Sequence, residues 1–303
     1  MQYDEFLALV KAGVSERCPN SEVVIDKVIK NNSVELDGLS IRSEGKNVFP
    51  TIYLNSFYEQ SEAGVGLEEI IDSILRINSG NVQTIDIDAE ELMNLEKGRD
   101  NIYFKVISTE RNRILLGMVP HREILDLSIV YYYKIYAEGI GSGSVLIYNS
   151  HMKNWEISED ELFDIAYDNT LRNDDFRLVP MNLLLKELMS DGDLPFELED
   201  ACDNNKMMHV LTTNTGVFGA AGIVRDDILK DFADGHGAFY VIPSSIHDLI
   251  LLPDDPSYEV EAILGTIAEV NKEQVDPMEV LSDNLYYYDP IESPHLSMVN
   301  CAV

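Results

Sequence analysis

Two short segments of this 303-residue chain crowd chemically capable side chains together. The first, Asn149-Ser-His-Met-Lys-Asn-Trp155, holds Asn149, Ser150, His151 and the single tryptophan of the sequence, Trp155. An amide, a hydroxyl and an imidazole at a strand end can bind the backbone groups of a turn, and an indole can root that turn in the core. The same polar groups can instead line a binding pocket. The second segment, Ile242-Pro-Ser-Ser-Ile-His-Asp-Leu249, brings Ser244, Ser245, His247 and Asp248 together, and Asp254 and Asp255 follow. Nucleophilic catalysis requires a base within reach of the serine and a third group that orients the base. Adjacent residues of a strand point to opposite faces, so His247 and Asp248 do not supply that geometry from a strand. A Ser244-Ser245 turn joining two strands, with Asp254 and Asp255 closing the hairpin, accounts for the same residues. The candidates for catalysis are therefore His151, Ser244, Ser245, His247 and Asp248. Those for binding are Asn149, Ser150, Trp155, Asp254 and Asp255. A third segment, Pro120-His-Arg-Glu-Ile-Leu-Asp126, sets Arg122 and Asp126 four residues apart and reads as an ion pair or a buried polar anchor.

Other signatures of catalysis are missing. No two of the six histidines stand two to four residues apart, so the zinc motif H-E-x-x-H is absent. Cys18, Cys202 and Cys301 are scattered, with neither a disulfide framework nor a zinc spacing. There is no G-x-S-x-G elbow. Gly139-Ile-Gly-Ser-Gly143 and Gly216-Val-Phe-Gly-Ala-Ala-Gly222 lack the spacing of phosphate loops and read as a hairpin turn and as close backbone packing. No cofactor and no metal are expected. The balance favours a protein that is not an enzyme, with a hydrolase or a metal-dependent site built on His151 and His247 as the alternative.

The elements that position these residues change character along the chain. Residues 3–30 look helical: Phe6, Leu9, Val10 and Val14, then Val23, Val24, Val28 and Ile29 after the Cys18-Pro19-Asn20 break. A hairpin around Asp37-Gly38, a strand over 48–54 and a helix over 67–77 follow, with Leu67, Ile70, Ile71, Ile74 and Leu75 on one face. From about residue 100, β-rich runs cover 101–107, 113–119, 125–133 and 144–148. Ser158 and Glu161 form a capping box that opens a helix. Met181 to Met189 reads as another helix, and Ser190 to Asn205 as an acidic loop. The last third predicts strands over 207–213 and 217–224, a helix over 226–233 and strands over 239–242 and 249–252. A helix over 258–270, a strand over 285–288 and a frayed tail from Asp289 complete it. The expected class is α+β: a mainly helical N-terminal part over 1–98, then a mixed, largely antiparallel sheet with flanking helices over 99–303. Sub-lobes over 99–199 and 200–303 fit that second part.

Charge narrows the partners. The chain carries 54 acidic and 22 basic residues, a net charge of −32. Residues 151–303 alone hold 31 acids and 8 bases, a net of −23. Nucleic-acid phosphates and anionic membranes are repelled by such a surface, and a basic protein is attracted. Neither a secretory leader nor an apolar span of about 20 residues is visible, which points to the cytoplasm.

An ordered set of segments carries a resemblance. Pro50-Thr-Ile-Tyr-Leu-Asn-Ser-Phe-Tyr-Glu-Gln60, Val119-Pro-His-Arg-Glu-Ile-Leu-Asp-Leu127 and Tyr148-Asn-Ser-His-Met-Lys-Asn-Trp155 open it. Val210-Leu-Thr-Thr-Asn214, Phe218-Gly-Ala-Ala-Gly-Ile223, Ile242-Pro-Ser-Ser-Ile-His-Asp-Leu-Ile-Leu251 and Val280-Leu-Ser-Asp-Asn-Leu-Tyr-Tyr-Tyr-Asp289 complete it. The chain resembles the bacterial domain-of-unknown-function family 5688 over roughly residues 45 to 290. The resemblance implies uncharacterised proteins of anaerobic gut bacteria, often of mobile-element background, and lends no catalytic residues. The expected function is binding of a basic protein partner. A nucleic-acid mimic that inhibits a defence or restriction enzyme is the alternative that the implied background raises. The oligomeric state stays open.

Overall fold

The computed structural model describes residues 1–43, 49–81, 94–137, 141–173, 175–188 and 207–299. Helices and antiparallel sheets alternate along the chain, an α+β architecture. Two compact units are formed, one from Met1–Asn101 with Tyr133–Val145 and the other from Ile102–Tyr132 with Leu146–Val303.

In the first unit, α1 (Tyr3–Arg17) aligns Phe6, Val10 and Val14 on one face by their four-residue spacing. This row packs with Ile70, Ile71 and Ile74 of α3 (Leu67–Asn81) and with Val23, Leu39, Ile41 and Ile52 of a three-stranded sheet. Each such side chain contributes about 1.5–3 kcal/mol by leaving water. The sheet orders β1 (Ser21–Ile29), β2 (Glu35–Ser43) and β3 (Ile52–Tyr53), and α2 (Asn55–Glu62) and α4 (Leu95–Gly98) complete the unit. The apolar set after Pro19 is thus a strand and not a helix. Val23 and Ile25 pair with Ile41 and Leu39 across an unbroken antiparallel register, where β-branched side chains fit the pleat. Asp37-Gly38 lies inside β2, opposite Lys27 and Asp26. The hairpin turns instead at Asn31–Ser33, where Asn32 and Ser33 take the left-handed backbone with φ 58°.

Two further sheets are formed. One is four-stranded, β4 (Ile102–Ser108) beside β6 (Leu127–Ala137), which also pairs with β5 (His121–Ile124) and β7 (Gly141–Leu146). The other orders six strands as β13-β12-β10-β11-β9-β8. Its strands are β8 (Phe176–Pro180), β9 (His209–Thr213), β10 (Phe239–Pro243), β11 (Leu249–Pro253), β12 (Tyr286–Asp289) and β13 (Ser293–Met298). The helices are α5 (Arg113–Leu116), α6 (Asn149–Trp155), α7 (Glu159–Asn173), α8 (Met181–Leu188), α9 (Asp226–His236) and α10 (Val260–Glu273). The capping box forms as expected: Glu161 N–H donates to Ser158 Oγ at 3.2 Å, and Ser158 N–H to Glu161 Oε2 at 2.8 Å. Those bonds hold the Glu161 carboxyl below its ordinary range. α7 then buries Leu162, Ile165 and Ala166.

Four expectations give way here. Residues 113–119 open as the short helix α5 and not as a strand, with Leu115 and Leu116 buried. Residues 149–155 form the helix α6 and not a turn. Gly219–Val224 is a 3-10 helix where a strand was expected. The tail is not frayed over Ser293–Met298, which pairs with β12. Val48, Gly139, Ile140, Cys202, Cys301 and the acidic 190–205 segment lie outside the described residues.

Candidate functional site

The register of β10 and β11 places Pro243 opposite Leu249, so residues 244–248 form their connecting loop. Ser244, Ser245, His247 and Asp248 come together there, and Asp254 N–H closes the far end of the hairpin on the Ala238 carbonyl at 2.9 Å. Ser245 is buried, and its Oγ accepts the His247 backbone N–H at 3.0 Å. Ser245 N–H donates to the Asp248 carbonyl at 3.1 Å, and Ser244 and Asp248 are half-buried. Both nitrogens of the His247 ring face partners. Nδ1 accepts the Phe218 N–H at 3.2 Å, which puts the proton of the neutral ring on Nε2, 3.4 Å from the Glu279 carboxylate. The imidazole also lies parallel to the Phe218 ring at 5.7 Å, with the Lys105 ammonium 4.5 Å from that ring's centre. Close approach makes this possible: a Cβ on Gly219 would stand 2.5 Å from the His247 carbonyl O and 2.6 Å from the Thr212 Cα. Gly219 therefore serves close backbone packing and Gly222 abuts the Leu211 side chain, whereas Gly216 has open space around it and takes the left-handed backbone with φ 68°.

The remaining candidates divide between two places. Asp254 accepts the Tyr287 hydroxyl at 2.8 Å, and Asp255 accepts Ser257 N–H and Oγ at 2.9 and 2.6 Å. At α6, the Tyr148 N–H donates to His151 Nδ1 at 3.0 Å, and His151 stacks on Trp155 at 5.8 Å. Burial pushes the His151 imidazole below its ordinary pKa. Asn149 Nδ2 reaches the Gly117 carbonyl at 3.4 Å, Ser150 is exposed, and Trp155 is half-buried. Among the described residues no hydrogen bond, ion pair or ring contact joins His151 to His247.

Arg122 and Asp126 do not pair with each other. The guanidinium of Arg122 binds Glu159 at 2.9 Å and Asp160 at 2.6 Å, 4.1 Å from the Phe163 ring centre. The buried Tyr131 hydroxyl donates to the same Glu159, and burial with that contact holds its phenol above the ordinary value of 10.0. Asp126 accepts three bonds, from Ser282 Oγ at 2.6 Å, Tyr286 hydroxyl at 2.7 Å and Asn284 Nδ2 at 3.0 Å. Sequence reading missed Glu279, Glu159, Tyr131 and Tyr286 as partners. It also missed the His209 and His236 rings, whose centres lie 5.1 Å apart. No local pattern links residues this far apart.

A groove of about 720 Å³ runs along Glu69, Asp72, Leu75, Arg76 and Ser79 of α3 and includes none of the candidates. Among the described residues there is no group of three or more His, Cys, Asp or Glu side chains placed to hold a metal ion, and no helix is long and apolar enough to cross a membrane. Neither a curated protein nor a solved structure matches the chain. A family model matches residues 3–290, which contain every candidate above, and the chain belongs to the Family of unknown function (DUF5688).

Proposed function

We propose that the protein is a cytoplasmic binding protein that acts through the acidic surface of its second unit on a basic protein partner. One observation carries this reading. Among the described residues, no lysine or arginine pairs with Asp254, Glu259, Glu261, Glu269, Glu273, Asp276, Asp289 or Glu292. Where these carboxylates have partners, the partners are neutral: the Tyr287 hydroxyl for Asp254, Met278 N–H for Asp276, and Ile291 and Glu292 N–H for Asp289. Glu259, Glu261, Glu269, Glu273 and Asp276 are exposed on and around α10, with Lys272 among them. Such a surface keeps its charge and steers a cationic partner into encounter.

The test is affinity capture from the native host at about 50 mM and about 500 mM salt, followed by binding of the purified partner. The expected result is a partner with a basic surface, retained at low salt and released at high salt. The triple variant Glu261→Gln/Glu269→Gln/Glu273→Gln should bind it about tenfold more weakly. No partner enriched at low salt, or equal binding by the triple variant, overturns the proposal.

A further inference from the structure

β10 and β12 set two tyrosines side by side. Tyr240 pairs directly with Tyr287 in the antiparallel register, so both rings stand on the same face of the sheet. Their centres are 5.0 Å apart and their planes are tilted by 51°. The row runs Ser297, Tyr287, Tyr240, Leu252 across four strands, from a small side chain to a buried one. Both tyrosines are half-buried. The exposed Asp254 accepts the Tyr287 hydroxyl at 2.8 Å, and Asp289 follows Tyr287 by two residues in β12. Burial and these two carboxylates hold the Tyr287 phenol above its ordinary value, and burial with Asp254 does the same for Tyr240.

Elsewhere the chain fills this combination of ring and carboxylate with an arginine. Arg122 lies 4.1 Å from the Phe163 ring centre and binds Glu159 and Asp160. Arg225 lies 5.6 Å from the Phe176 ring centre and binds Asp227 at 2.6 Å. At Tyr240 and Tyr287 the rings and the carboxylates are in place. Among the described residues, no lysine or arginine pairs with Asp254 or Asp289 or lies over either ring. We propose that Tyr240, Tyr287, Asp254 and Asp289 form a receptor for an arginine side chain of the basic partner, a site that rests on the binding function proposed above. A guanidinium is planar and weakly hydrated, so it stacks on a ring while its N–H groups donate to a carboxylate. An ammonium feels the same charges but lacks the plane that matches the rings. The site therefore selects arginine over lysine, whereas the carboxylates on and around α10 attract either cation.

The test is calorimetric titration of the full chain with hexa-arginine and hexa-lysine peptides at about 50 mM salt. The expected result is hexa-arginine bound about tenfold more tightly than hexa-lysine. Tyr240→Leu/Tyr287→Leu should abolish that preference and leave hexa-lysine binding as it is. Tyr240→Phe/Tyr287→Phe keeps both rings and should keep the preference. Far-ultraviolet circular dichroism checks the fold of each variant. If the leucine pair does not fold, nuclear Overhauser contacts in the wild-type complex decide. They should join arginine side-chain protons of the peptide to tyrosine ring signals that vanish in the phenylalanine pair. The site is overturned by equal binding of the two peptides, by a preference that survives in the folded leucine pair, or by the lack of those contacts. The acidic surface is read separately, because Glu261→Gln/Glu269→Gln/Glu273→Gln should weaken both peptides alike. Loss of binding in that variant without any preference for arginine removes this site alone and leaves the surface standing.

Discussion

Arg17, Lys27 and Arg42 hold carboxylates in the first unit: Arg17 binds Glu68, Lys27 stands 3.7 and 3.8 Å from Glu35 and Asp37, and Arg42 lies 3.1 Å from Asp26. The C-terminal stretch of the second unit meets the same chemical need with hydroxyls and amides. Ser282, Asn284 and Tyr286 converge on Asp126, Tyr287 on Asp254 and backbone N–H groups on Asp289. A cation satisfies a carboxylate and cancels its charge, whereas a hydroxyl satisfies the lone pairs and leaves the charge in place. The carboxylates held by cations are thereby neutralised where they stand, whereas Asp126, Asp254 and Asp289, held by hydroxyls, an amide and backbone N–H groups, keep their charge. The difference also predicts which contacts matter for stability, because exposed ion pairs contribute little and a buried donor that loses its acceptor costs much.

The largest effect is expected at Asp126. Asp126→Ala leaves the fully buried Tyr286 without an acceptor and should cost about 3 kcal/mol of unfolding free energy, read from urea denaturation. A cost below that of Arg17→Ala would break the comparison. Raising pH attacks the same contacts. Burial and the Asp126 and Glu159 carboxylates hold the phenols of Tyr286 and Tyr131 above the ordinary value of 10.0. The unfolded chain then loses protons that the folded chain keeps. The stability these groups contribute is complete below pH 10.0 and is lost as pH rises above it. Urea midpoints should fall steeply above about pH 10, and less steeply in Tyr286→Phe. Ser158→Ala removes a neutral partner at the start of α7 and should cost about 1 kcal/mol, visible as a lower thermal midpoint. Arg17→Ala should change stability by less than about 1 kcal/mol, and by less still at about 500 mM salt. A salt-independent loss there would mean that packing of the Arg17 stem, not its charge, supports α1.

Legibility followed the range of the interactions. Local rules located α7 from Ser158 and Glu161, α3 from its apolar stripe, and the β10–β11 hairpin from Pro243, Ser244 and Ser245. Short apolar runs misled, because Val23, Val24 and Val28 satisfy a helical spacing as well as a strand, and Ile114-Leu-Leu116 is too short to choose. In β1 the deciding term was pairing with Leu39 and Ile41, which no window around Val23 contains. The candidate loop was legible as a cluster of types, and its geometry was not. The Glu279 that faces His247 comes from another segment, and the Phe218 N–H that sets its tautomer comes from a left-handed residue with φ 59°. The acidic bias was fully visible, and its neutral hydrogen-bond partners only became visible with the fold.

The strand order β13-β12-β10-β11-β9-β8 has a consequence for biosynthesis. β10 gains β11 at once through a short hairpin, but its other neighbour, β12, leaves the ribosome only after α10 has emerged. Until then β10 presents a bare backbone edge beside Phe239 and Val241, the kind of edge that recruits strands from other chains. Messages truncated before Tyr286 should therefore yield insoluble product, and the last two strands act as the stopper that renders the nascent sheet safe.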